Sequence, residues 1–64
     1  MKKYIENIDS IKPGDVGIDR DTAAVYFIVE IYVDRVKIKF KGQDGTYNYS
    51  IEAFIGDEII EGAE

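Results

Sequence analysis

The chain predicts an all-β fold, a small five-stranded, strongly bent barrel with a short 3-10 turn before its last strand. Three observations carry that expectation. The stretch from Ala24 to Lys41, AVYFIVEIYVDRVKIKFK, reads as two long strands folded back on each other at Asp34-Arg35. Asp44-Gly45 reads as a second hairpin turn, and Lys12-Pro13-Gly14-Asp15 as a sharp reversal ahead of the first strand. With 64 residues the chain is one domain, and a chain of this size buries only about 60% of its unfolded surface.

Residues 1–11, MKKYIENIDSI, carry apolar side chains at Tyr4, Ile5, Ile8 and Ile11, a spacing that fits a short helix or a loosely packed arm. In the reversal that follows, Pro13 presets the first turn dihedral and Gly14 supplies the positive φ of a type II turn. Val16, Gly17 and Ile18 form a short strand, and Asp19-Arg20-Asp21-Thr22 is a polar loop.

In the main hairpin Val36, Ile38 and Phe40 alternate with Lys37, Lys39 and Lys41, the period of two of a half-buried strand. A two-residue turn at Asp34-Arg35 pairs Val33 with Val36, Ile31 with Ile38 and Val29 with Phe40, all facing inward, and a longer turn is expected only if it keeps this parity. Tyr26, Ile28, Glu30 and Tyr32 then face outward, with Tyr32 opposite Lys37, Glu30 opposite Lys39 and Ile28 opposite Lys41. Turning at Asp44-Gly45 pairs Phe40 with Tyr49 and Ile38 with Ile51, so Tyr47, Tyr49 and Ile51 join the core face. Ser50 to Phe54 loses the alternation and starts with a capping serine, which predicts a 3-10 turn ending at Gly56. Residues 57–61 form the closing strand, and residues 62–64 a mobile polar end.

In this order, the run from Ile11 to Val16, the Val25 to Phe40 hairpin and the stretch from Ser50 to Ile60 resemble the Src-homology-3-like (SH3-like) barrels, particularly those of KOW and Tudor type. The resemblance covers about fifty residues in pattern. It does not extend to the Tudor aromatic cage, the peptide-binding motifs of signalling domains or the glycine-centred KOW pattern, so no family residue is transferred. The resemblance implies a binding module and names no ligand.

Composition narrows the function classes. Without Cys or His the chain lacks the usual nucleophile, near-neutral base and commonest metal ligand, so neither an enzyme nor a cofactor is expected. Asp15, Asp19 and Asp21 lie close in sequence but lack the spacing of a calcium loop. No signal-peptide run or spanning segment is present, and the lack of cysteine suits a reducing compartment, so a cytoplasmic protein is expected.

The net charge of −5 argues against a general nucleic-acid binder. Its distribution is two-sided, with Arg35, Lys37, Lys39 and Lys41 on one stretch and Glu52, Asp57, Glu58, Glu61 and Glu64 at the end. The function expected is a non-enzymatic protein-interaction module, an accessory protein of bacterial, phage or mobile-element type that modulates a larger host protein. Its partner-binding face is the outer sheet, with Tyr26, Ile28 and Tyr32 as apolar anchors and Glu30, Lys37, Lys39 and Lys41 around them. Two alternatives stay open: a nucleic-acid-binding barrel using Lys37, Lys39 and Lys41 on phosphate, and a homodimer through the same face. Solubility alone is a sufficient role for the lysines, and the N-terminal arm is a sufficient cover for the apolar patch.

Overall fold

The computed structural model describes residues 3–60, which form one six-stranded antiparallel sheet in the order β1-β6-β2-β3-β4-β5. The strands are β1 (Lys3–Tyr4), β2 (Val16–Ile18), β3 (Val25–Ile31), β4 (Val36–Phe40), β5 (Tyr47–Tyr49) and β6 (Glu58–Ile60). Two 3-10 turns interrupt them, at Ile8–Ser10 and at Ile51–Ala53. The all-β expectation holds, but the strands number six and the sheet does not close on itself: β1 and β5 are its edges.

The additional strand comes from the expected N-terminal arm. Lys3 and Tyr4 pair with Ile59 and Glu58, and the pairing extends through Ile5, whose N–H donates to Asp57 O and whose carbonyl accepts from Gly56 N–H. Burial of Ile5, 1% exposed, gives the arm its reason to dock. Asn7 then caps the first 3-10 turn by accepting from Asp9 N–H at 2.8 Å. The mobile end expected at 62–64 lies outside the described residues.

The Pro-Gly reversal forms as the sequence predicts. Asp15 N–H donates to Lys12 O at 3.1 Å, and Gly14 takes φ 97°. The second 3-10 turn also falls where expected, although Ser50 makes no side-chain cap.

The main hairpin takes a longer turn of the expected parity at its bend and departs from expectation beyond it. Ile31 pairs with Val36 and Glu30 with Lys37, leaving Tyr32 to Arg35 as a four-residue loop closed by Tyr32 N–H to Arg35 O at 2.8 Å. A bulge at Val29 then shifts the register, so that Ile28 faces Ile38, Phe27 faces Lys39 and Tyr26 faces Phe40. Ile31 keeps its inward parity, but everything before Val29 changes sides. Tyr26 and Ile28 are 1% and 2% exposed in the core, whereas Val29 and Val33 face solvent.

The reversal has a physical cause on the neighbouring strand. Gly17 pairs with Tyr26 and has no side chain, which leaves room for the phenol ring above it. Ile28 is fixed by two backbone bonds to the Pro-Gly turn, its N–H to Asp15 O and its carbonyl from Gly14 N–H, each 2.9 Å. One extra residue lets β3 bury Tyr26 and Ile28 at one end and Ile31 at the other.

The second hairpin is also longer than Asp44-Gly45 alone. Gln43 N–H donates to Phe40 O at 3.1 Å, with Gly42 at φ 84°, and so Tyr49 pairs with Val36 and Tyr47 with Ile38. Parity is kept, and both tyrosines lie on the core side of the sheet. The core itself joins Ile5, Ile11, Tyr26, Ile28, Val36, Ile38, Phe54 and Ile59, with Ile31, Phe40 and Ile51 against it.

Candidate functional site

Four aromatic rings meet in a closed circuit at one end of the core. Tyr26 lies 6.2 Å from Phe40 between centroids, Phe40 6.4 Å from Tyr49, Tyr49 5.9 Å from Phe54, and Phe54 5.2 Å from Tyr26. Most contacts are steeply inclined, edge to face, which suits the quadrupoles of the rings. Tyr47 adds a fifth ring against Phe40 and Tyr49.

The sheet and the second 3-10 turn position these rings. Tyr26 and Phe40 face one another across β3 and β4, Tyr49 ends the short edge strand, and Phe54 follows the second 3-10 turn. Between them opens a pocket of about 120 Å³, lined by Asp19, Tyr26, Ile38, Phe40, Tyr49, Ala53 and Phe54. Tyr26 and Phe54 are its buried floor, while Tyr49 remains 39% exposed at its wall.

Asp19 supplies the negative charge of the pocket. Its Oδ1 accepts the backbone N–H of Asp21 at 2.7 Å and of Thr22 at 2.9 Å. These bonds, that from Thr22 foremost, hold its carboxyl below its ordinary value, so it is ionised near neutrality. A second carboxylate, Asp57, 1% exposed, accepts from the Tyr26 hydroxyl at 2.7 Å and from Arg20 at its backbone N–H and guanidinium. Burial first, and then the bond to Asp57, push the Tyr26 phenol above its ordinary value.

The residues expected to bind a partner divide between two faces. Glu30, Tyr32 and Lys37 come together at the hairpin tip: Tyr32 donates to Glu30 Oε1 at 2.7 Å, and Lys37 Nζ lies 3.8 Å from the same oxygen. Arg35 stacks on the Tyr32 ring at 4.3 Å. Lys39 projects beside Phe27 on the outer face, and Lys41 follows it, its N–H bonded to Val25 O at 2.9 Å. Tyr26 and Ile28 do not join them; the bulge turns both inward, and they offer no outward anchor. Glu30 lies opposite Lys37 instead of Lys39, because the bend is a four-residue loop and not a two-residue turn.

Sequence reasoning missed the pocket. It placed Tyr47 and Tyr49 on the core side, but not their exposure, which follows from the shortness of the edge strand. It counted Asp57 only as one charge of the acidic end, and no local pattern distinguishes a buried carboxylate from an exposed one. Among the described residues no three carboxylates converge as a metal site, and no helix is long and apolar enough to cross a membrane. No protein-family model, curated protein or solved structure matches the chain.

Proposed function

We propose that this domain is an SH3-like barrel and a non-enzymatic protein-docking module, which takes a basic side chain of its partner into the four-ring pocket. Five strands, β2 to β6, with a Pro-Gly turn before the first and a 3-10 turn before the last, support the barrel assignment. The single observation that carries the function is the pairing of an aromatic circuit with the ionised Asp19. Ring faces attract cations, by about 0.5–2 kcal/mol each, and a carboxylate at the rim adds a directional partner. The volume is somewhat less than the ~150 Å³ that accommodates benzene, and suits an ammonium or guanidinium head group. The net charge of −5 would draw a basic partner toward the molecule.

Peptide-library selection tests this directly, with wild type, Asp19→Asn and Tyr49→Ala as baits. Selection of Lys- or Arg-containing peptides, lost in both variants, is the expected outcome. A library without basic enrichment, or peptides retained by both variants, rules the pocket out. Binding to oligonucleotides that weakens steeply with salt and is lost on Lys39→Glu would favour the phosphate-binding alternative.

A further inference from the structure

We propose that the outer face of the sheet is the interface of a two-fold homodimer in which Lys41 of each copy meets Glu58 of the other. The solvent face of an antiparallel sheet ordinarily carries polar side chains. Here β2 contributes Val16 and Ile18, β3 contributes Val25 and Phe27, and β6 contributes Ile60. Phe27 and Ile60 are 39% and 49% exposed.

Cross-strand pairing arranges these side chains in two rows. One runs Lys39, Phe27, Val16, Ile60 across β4, β3, β2 and β6. The next begins at Lys41, whose N–H meets Val25 O, and across the same four strands runs through Val25 and Ile18 to Glu58, with Tyr4 of β1 beyond it. In this second row the positive end is at β4, the negative end at β6, and the middle is apolar.

A row with opposite charges at its ends is complementary to itself turned over. A two-fold axis parallel to the strands, midway between β2 and β3, keeps each row level and exchanges its ends. It sets Lys41 over Glu58, the Lys39 stem over Ile60, Phe27 over Val16 and Val25 over Ile18. Each contact occurs twice. Two sheets so aligned pack about 10 Å apart, a gap that the long lysine stems span. A partner of uniform sign attracts one end of the row and repels the other, whereas a second copy is attracted at both.

Sedimentation equilibrium at low salt is the test, read as the mass rising from 7.3 kDa toward twice that with concentration. Lys41→Glu and Glu58→Lys should each weaken the dimer by about tenfold or more, because each places two like-charge contacts in the interface. The double variant Lys41→Glu/Glu58→Lys should restore it. A wild-type monomer at about 1 mM overturns the proposal, as does a dimer indifferent to the single reversals or not restored by the double. Should Glu58→Lys fail to fold, Lys41→Glu and Phe27→Asp decide instead: both must yield folded monomers, and an unchanged dimer in either overturns the proposal.

Discussion

The hydroxyl of Tyr26 donates to Oδ2 of Asp57 at 2.7 Å, joining the middle of the sheet to the start of the last strand inside the core. Both residues are 1% exposed, so neither has water as a substitute. Tyr26→Phe should therefore cost about 1–3 kcal/mol at neutral pH, the penalty of a buried acceptor left short of a donor. The loss is read by urea denaturation.

The same bond predicts alkaline sensitivity. Folding raises the Tyr26 phenol above its ordinary value of 10.0, so the folded state retains a proton that the unfolded chain releases. The contribution is complete below about pH 10 and is lost above it, at up to about 1.4 kcal/mol per pH unit. Stability measured from pH 8 to 11 should fall more steeply in wild type than in Tyr26→Phe; parallel profiles would refute the assignment.

Arg20 and Asp57 should respond unequally to truncation. The Arg20 side chain is 46% exposed and Asp57 only 1%, so they share an ion pair of 3.0 Å with different stakes. Arg20→Ala leaves Asp57 the Tyr26 hydroxyl and the Arg20 backbone N–H, and should cost about 1–2 kcal/mol. Asp57→Ala removes the acceptor from three donors and should cost about 3 kcal/mol or more. Equal losses would mean that the carboxylate is not the hub.

Gly17→Ala should be destabilising by about 1–3 kcal/mol despite an unexceptional backbone, since a Cβ there overlaps Cζ and Cε1 of the Tyr26 ring. Thermal denaturation reads the loss. An unchanged melting temperature would show that the ring has room to move.

Position along the main hairpin should govern valine and isoleucine sensitivity in a way that depends on the bulge. Ile28→Ala should cost about 2–5 kcal/mol, whereas Val33→Ala, at a side chain fully open to solvent, should stay within about 0.5 kcal/mol. The uninterrupted hairpin predicts the opposite ranking. Urea midpoints of the two variants separate the registers.

These contrasts locate what the sequence makes legible. The Pro13-Gly14 turn and the 3-10 turn at Ile51–Ala53 rest on local rules that need no knowledge of neighbours. The parity of Tyr47 and Tyr49 follows from alternation, which survives a change in loop length by an even number of residues. Val29 differs, because a bulge is chosen by what the adjacent strands require: an empty place at Gly17 and an acceptor at Asp57. Neither is visible within AVYFIVEIYV. The pocket was hidden for a related reason, since its rings come from β3, β4, β5 and the turn after them, and only the three-dimensional fold brings them together.

The bulge at Val29 also leaves β3 with two hydrophobic frames, one through Tyr26 and Ile28, the other through Val29, Ile31 and Val33. Each frame is a good strand. A hairpin zipped from the bend in the second frame satisfies its own ladder and only later finds Tyr26 facing away from Asp57, so this sequence carries a built-in competitor to its native sheet. The choice between the two frames is made at the far end of the strand, where Tyr26 meets Gly17 and Asp57.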